Sequence, residues 1–379
     1  MTERDSTRAS TIVDGRTVTP DPRLAHYSAA VLADLISGMR PPGRATVPAV
    51  RARLDRLTKP RGSLGALEDL AVRLARIYGD PPPPLRRRMV IVFAGDHGVA
   101  VRGVSAYPAE VTAQMCRNFA AGGAAINAIA RAVGATVVIA DVGVDAELEN
   151  VTGVVACKVR RGTRDLSVGP AMTRAETLEA MRVGAELVSE RAASIDIFAL
   201  GEMGIGNTTA AAAVTAALTG VPADAVVGTG TGIDAAQWVR KRRLIDHALE
   251  RITTPADSVE VLSEVGGLEI AALVGAMLAA ARAGRAVVLD GFISTAAALA
   301  AVQFCPHLSD YLVASHRSVE PGHTVQLNAL GLVPLLDLRL RLGEGTGAAL
   351  ALPVLEAAAG VLRDMATFEG ADVSGPEST

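Results

Sequence analysis

Between about residues 85 and 330 the chain alternates short aliphatic runs with longer stretches of helical character. Six of these runs have the form of buried strands, at residues 89–93, 136–140, 194–200, 225–227, 286–289 and 311–314. Strands that are apolar nearly throughout, separated by helices, predict a Rossmann-like α/β architecture: a parallel sheet of about six strands covered by helices on both faces. Each run ends in Gly, Asp, Ser or His, as in Ala94-Gly-Asp-His-Gly98, Asp290-Gly291 and Ser315-His316. In open sheets of this kind that carboxyl-end rim is where ligands bind.

The two ends of the chain read differently. Residues 48–57 and 66–78 have helical spacing, the second with Leu67, Leu70, Leu74 and Ile77 on one face. Residues 81–84, all proline, form a stiff linker into the main domain. Beyond Pro334 the alternation stops, and residues 335–342 and 348–365 read as helices broken by Gly343-Glu344-Gly345. Two terminal helical segments, residues 23–84 and 331–368, can pack together as a small domain beside an α/β domain at 85–330. Residues 1–22 and 369–379 read as disordered tails, and no internal repeat is visible.

Half of the 379 residues are apolar but only 3% are aromatic, so the core must be built from Ala, Val, Leu and Ile. A net charge of −3 gives no general attraction to nucleic acid or to an anionic membrane. The clusters Arg86-Arg-Arg88 and Arg240-Lys-Arg-Arg243 read as solvated faces. Only three of the 37 basic residues are lysines, Lys59, Lys158 and Lys241, which marks each for attention. The three cysteines, Cys116, Cys157 and Cys305, form no CxxC pair, which suits a reducing compartment and offers no zinc site. The N-terminus lacks a signal-peptide apolar region, and apolar runs such as 271–281 fall short of the roughly 18 residues of a membrane span. The expectation is a soluble, cytoplasmic protein.

The richest stretch is Gly201-Glu-Met-Gly-Ile-Gly-Asn-Thr-Thr209, between an apolar run and a run of strong helix formers. Strand, glycine-rich turn and helix start together favour an anion: glycines admit close approach, and the free N–H groups and helix dipole attract negative charge. The spacing is that of a triphosphate-binding P-loop, yet Asn207 stands where the lysine belongs, which points to a smaller anion. An ordinary capped turn fits the same local pattern. Glu344, a carboxylate between two glycines, and Glu202, at a strand end beside the anion loop, invite an acid/base reading. Asp96-His97 reads as a hydrogen-bonded loop, and His316 and His323 as structural or substrate-contacting. Gly228-Thr-Gly-Thr-Gly232 departs from the dinucleotide fingerprint, and no G-x-S-x-G, HExxH or CxxC pattern occurs.

Taken in order, Lys59-Pro-Arg-Gly-Ser-Leu-Gly65, Ala94-Gly-Asp-His-Gly-Val99, the Gly201–Thr209 stretch, Glu264-Val-Gly-Gly267, Leu289-Asp-Gly-Phe-Ile-Ser294, Ser315-His316 and Arg341-Leu-Gly-Glu-Gly-Thr-Gly-Ala348 resemble the nicotinate-nucleotide–dimethylbenzimidazole phosphoribosyltransferases of cobalamin lower-ligand synthesis. The resemblance spans about residues 45–368. It implies a homodimer with a six-stranded parallel sheet and a helical domain from both termini, acting on nicotinate mononucleotide and a benzimidazole-type base without a cofactor or metal. By the same resemblance Glu344 is the general base and Glu202 an acidic residue near the reacting centre. Gly204, Asn207, Thr208, Lys241, Gly291 and Ser315 fall where phosphate and ribose are held, and Tyr107, Gln114, Met115 and Met203 at the base pocket. Two rivals stay open: a small-molecule kinase or NTPase using the Gly201 loop, and a non-catalytic nucleotide-binding regulator.

Overall fold

The structure, a computed structural model, describes residues 36–252 and 257–375, together with residues 30, 33 and 34 and two short strands near the N-terminus. Most of the tail expected over residues 1–22, and the last four residues of the C-terminal one, lie outside them. Thr11–Val13 and Arg16–Val18 form a two-stranded antiparallel ribbon. The C-terminal tail is shorter than expected: residues 369–373 turn back on the chain, with Ala371 N donating to Thr367 O (3.1 Å) and Val373 N to Phe368 O (3.0 Å).

Six parallel strands make the central sheet: β1 (Arg88–Gly95), β2 (Ala135–Gly143), β3 (Val154–Ala156), β4 (Ile197–Met203), β5 (Val287–Leu289) and β6 (Leu312–Ala314). Their spatial order is β3-β2-β1-β4-β5-β6, so the chain runs outward in one direction from β1 and in the other from β4. That reversal opens a crevice at the carboxyl ends of the two central strands.

Alternation along each strand sorts the core into two layers. Ile91, Phe93, Phe198, Leu200, Val287 and Leu289 face one side. There they meet α5 (Arg174–Ser189), α6 (Asn207–Thr219), α9 (Leu268–Arg282) and α10 (Phe292–Phe304). Val90, Val92, Ile197, Ala199, Val288 and Val313 face the other. That side is covered by α1 (Val47–Arg56), α2 (Ala66–Tyr78), α4 (Ala125–Val133) and α12 (Thr346–Asp364). The helices from the two chain ends therefore meet, and share one core with a face of the sheet. Four further helices are α3 (Val111–Ala120), α7 (Ala235–Leu249), α8 (Ser258–Val265) and α11 (Pro321–Leu330).

Three expectations fail for identifiable reasons. Residues 225–227 are not a strand: a 3-10 turn (Ala223–Ala225) leads into them, and Val227 O accepts from Trp238 Nε1 (2.9 Å) instead of from a neighbouring strand. The sixth strand is β3, a three-residue, half-exposed edge element whose short Val-Val pair gave no pattern to read. Residues 335–342 are not helical. Residues 335 and 336 run beside the end of β6, with Leu335 N donating to Ala314 O (3.2 Å), Leu336 N to Ser315 O (2.9 Å) and Arg317 N to Leu336 O (2.8 Å), and Arg339 takes a left-handed backbone (φ 56°). The leucines at 336, 338, 340 and 342 recur at every second position, the period of a strand. Finally, α12 is long and apolar enough by length and composition to cross a membrane, contrary to the reading of the apolar runs. Its Leu352, Leu355, Ala359 and Leu362 are buried in the core shared with α1, α2 and the sheet, so its apolar character is that of a core helix.

Candidate active site

At the carboxyl ends of β4, β5 and β6 lies a cavity of about 350 Å³, lined in part by the turn that precedes α12. That volume suits a small ligand.

The turn is built from three consecutive residues in the left-handed region: Gly343 (φ 83°), Glu344 (φ 64°) and Gly345 (φ 81°). Glycine adopts this readily, whereas a residue with a Cβ does so only when its surroundings hold it there. Here Glu344 N donates to Glu202 O (3.2 Å), and Thr346 Oγ1 donates to Gly343 O (2.8 Å). Gly201 lets the turn settle directly on β4, because a Cβ there would lie only 2.5 Å from Gly345 Cα. The Glu344 carboxylate is buried, and its Oε2 accepts from Ile126 N (3.4 Å) at the start of α4. Burial raises its pKa above the usual carboxylate range, and the Ile126 N–H works against that.

Glu202 faces the same space from the end of β4, accepting a hydrogen bond from Asn207 Nδ2. Its pKa is driven well above the ordinary value, first by burial and then by the neighbouring Asp290 and Glu269 charges. Asp290, one residue past β5, is a third buried carboxylate in the wall, pushed up to about 7 by burial despite accepting three backbone hydrogen bonds. Four carboxyl side chains, Glu320 being the fourth, converge on a cavity only one of whose lining residues, the solvent-exposed Arg341, is cationic. Such a site favours a ligand whose reacting atoms carry positive charge. Among the described residues, no group of three or more His, Cys, Asp or Glu side chains is placed to hold a metal ion.

The anion loop opens into the same cavity. Gly204, Asn207 and Thr208 line it at the start of α6. The charge missing from the loop arrives from another element: Lys241, wholly buried on α7, donates from Nζ to Thr208 Oγ1 (2.8 Å). Burial lowers its pKa to about 8, opposed by the charge of Glu320. Glu320 Oε1 in turn accepts from Gly230 N (2.9 Å). Thr231 Oγ1, next in the same glycine loop, accepts from Ala106 N (2.8 Å), which ties the 103–108 loop to it.

Of the twelve residues singled out from sequence, nine line the cavity: Glu202, Met203, Gly204, Asn207, Thr208, Gly291, Glu344, Tyr107 and Met115. Lys241 stands behind Thr208. Ser315 is fully buried, donating from Oγ to Asp290 O (2.9 Å), and it is Ser318, three residues on, that reaches the wall. Gln114 points outward from α3 and is exposed. Asp290, Ser318 and Glu320 were missed; the rule that strand ends carry the polar groups of the rim already pointed at Asp290. Asp96-His97 is a hydrogen-bonded loop, as read, with His97 Nε2 2.7 Å from Glu269 Oε1 and both side chains fully buried. His316 lines the cavity, while His323 is structural and accepts from Ser318 N at Nδ1 (2.9 Å).

A phosphoribosyltransferase family model matches residues 39–373. The chain is 50% identical over 350 residues to the nicotinate-nucleotide–dimethylbenzimidazole phosphoribosyltransferase of Desulforamulus reducens, covering 91% of this chain and 99% of that one. It is 52% identical over 341 residues to the enzyme of the same name from Mycobacterium avium, covering 89% and 97%. The crystal structure of CobT from Thermus thermophilus superimposes with a TM-score of 0.85 at 51% identity, over 88% of this chain and 100% of that one. With the family model spanning most of its length and half its residues shared with these enzymes, the chain belongs to the nicotinate-nucleotide–dimethylbenzimidazole phosphoribosyltransferase family.

Proposed function

We propose that this protein transfers the phosphoribosyl group of nicotinate mononucleotide to 5,6-dimethylbenzimidazole or a related base, releasing nicotinate and forming α-ribazole 5′-phosphate for the nucleotide loop of cobalamin. The observation that carries the reading is the left-handed Gly343-Glu344-Gly345 turn, which holds a buried carboxylate in the same cavity as Glu202 and the anion loop.

The chemistry follows from where positive charge sits. In nicotinate mononucleotide the pyridinium nitrogen on C1′ is already cationic. When the C1′–N bond breaks, its electron pair returns to nitrogen and nicotinate leaves without needing an acid. The sugar passes through an oxocarbenium-like state. A benzimidazole nitrogen donates its lone pair to C1′ from the opposite face and the ring becomes an imidazolium. The proton on its second nitrogen goes to Glu344. Positive charge thus moves from leaving group to sugar to acceptor within a cavity walled by the carboxyl groups of Glu202, Asp290, Glu320 and Glu344, and the ionised form of Glu344 favours the cation that it faces. Phosphate is held by the Gly204–Thr208 loop with Lys241 behind it. Met115, Met203 and Tyr107 offer an apolar wall for the base. Because the leaving group carries its own charge, the step needs no Lewis acid.

The protein is read as a cytoplasmic homodimer, which light scattering on the purified chain tests. Activity is tested by incubating the protein with nicotinate mononucleotide and a panel of benzimidazoles, purines and phenols in the presence of EDTA. Base-dependent nicotinate release is expected. Binding of the mononucleotide without release would leave a regulator, and ATP hydrolysis in its place would leave the kinase reading.

A further inference from the structure

Asp290 does something in this fold that the reaction chemistry does not ask of it. It follows β5 at the floor of the cavity, 2% exposed, and its carboxylate is spent on backbone N–H groups of the segment that carries Glu344. Oδ2 accepts from Gly345 N (3.1 Å), and Oδ1 accepts from Gly347 N (2.7 Å) and Ala348 N (3.0 Å). These are the donors at the N-terminus of α12 that have no partner within the helix, where a carboxylate is favoured by both hydrogen bonding and the helix dipole. Asp290 is itself fixed from behind, since its backbone carbonyl accepts from Ser315 Oγ (2.9 Å) at the end of β6.

Glu344 is the residue immediately before this anchored segment. Its left-handed backbone is unfavourable for a side chain with a Cβ and persists only if neighbouring bonds hold it. On its N-terminal side the turn is tied by Glu344 N to Glu202 O; on its C-terminal side the tie to the sheet is the Asp290 carboxylate. We infer that Asp290 is a positioning residue for the transfer reaction: it clamps the N-terminus of α12 to the end of β5 and so holds the Glu344 carboxylate where it can take the acceptor's proton. The inference rests on the reading of Glu344 as the base.

The test is a double-variant cycle with Asp290→Asn and Glu344→Gln, reading nicotinate release with nicotinate mononucleotide and 5,6-dimethylbenzimidazole. Asn keeps one acceptor oxygen for Gly347 and Ala348 but turns a donating amide NH2 toward the Gly345 N–H, so that bond is lost. A misplaced catalytic group costs about 10–10²-fold, so kcat should fall by that order while KM for the mononucleotide stays within about threefold. Groups acting through one another are non-additive, so Asp290→Asn added to Glu344→Gln should lower turnover by no more than about twofold further. A full multiplicative loss in the double variant, or a loss expressed in KM for the mononucleotide, would overturn the assignment and place Asp290 on the substrate. Should Asp290→Asn not fold, Asp290→Ala assayed with and without formate replaces it: formate is expected to restore turnover only where Glu344 is present. Failure of both variants to fold would make Asp290 a stability group and overturn the inference. Wild-type protein that released no nicotinate would instead overturn the activity itself, and wild-type turnover in Glu344→Gln the choice of base, so the three failures are distinguishable.

Discussion

Glu344 and Lys241 both place a charge where burial disfavours it, and each does so with a partner that makes its role measurable. Burial raises the Glu344 pKa, which strengthens it as a base once ionised. Glu344→Gln keeps size and hydrogen bonding but cannot take a proton at neutral pH. Turnover should fall about 10²–10⁴-fold, the usual contribution of a general base, with both substrates still binding. Near-normal turnover there, with the loss appearing in Glu202→Gln, would exchange the two roles. Lys241 is fully buried and hydrogen-bonded to Thr208 at the anion loop. Lys241→Met keeps the stem and removes the charge, and a charge-assisted contact of about 1.5–3 kcal/mol predicts roughly tenfold or greater weakening for the mononucleotide. Steady-state kinetics should show the base KM unchanged; a nucleotide effect below about threefold would dismiss the contact. Because burial lowers this amine to about 8, the wild-type kcat/KM for the mononucleotide should also decline as pH rises past that value. Which of these residues face the cavity was only partly legible. Glycines flanking Glu344 and the strand end before Glu202 are local signals. That Ser315 and Gln114 turn away, and that Lys241 serves a loop 33 positions earlier, depends on how helices pack and leaves no mark in local sequence.

Among the elements, the one that governs the site is the crossing of β4 beneath the turn that precedes α12. A Cβ at Gly201 would lie 2.5 Å from Gly345 Cα and from the carbonyl carbon of Glu344, closer than any real contact and against backbone rather than a flexible side chain. Gly201→Ala must therefore push the turn off the strand and carry Glu344 with it. Overpacking of this kind costs about 1–3 kcal/mol, and a displaced base costs far more in rate than in stability. Thermal unfolding should show a modest loss while turnover drops about 10²-fold. Gly169→Ala, with nothing within 4 Å of the added methyl, is the matched control. Equal loss of activity in both variants would show that the crossing is not what positions Glu344. The elements that sequence periodicity identified are those whose apolar pattern comes from burial on known faces: five of the six strand runs and the helices at 47–56, 66–78 and 346–364. Those it misread, residues 225–227 and 335–342, and the one it missed, β3, owe their state to hydrogen bonds with segments outside their own run, which local pattern does not encode.

At the scale of the whole molecule, the reversal of strand order between β1 and β4 creates the crevice, and the fold then fills its wall with carboxylates that weaken the ligand-free protein. Glu202 shows the effect most directly. Its folded pKa lies well above the ordinary 4.5, with burial as the first cause and the Asp290 and Glu269 charges next. Between its unfolded and folded pKa the native state binds more protons than the unfolded one, so its contribution to stability is intact at low pH and is lost as pH rises. Asp290, raised to about 7, acts in the same direction between its ordinary 3.8 and that value. His316 and His323 oppose them: burial lowers them to about 4 and about 3, so they are held neutral in the fold and cost stability as pH falls below 6.5. Comparing wild type with Glu202→Gln cancels the histidines and isolates the carboxylate. The variant keeps an acceptor for Asn207 Nδ2 and removes an ionisable group from a cavity shared with three other carboxyl groups. In thermal unfolding without ligand its advantage should be small at pH 5 and should grow to about 2 °C or more at pH 8. A variant that matched or fell below wild type at pH 8 would mean that Glu202 is stabilised in the free protein, not held at a cost. The expected pattern, a more stable but less active protein, would identify the carboxylate wall as strain retained for the passage of positive charge from pyridinium to imidazolium.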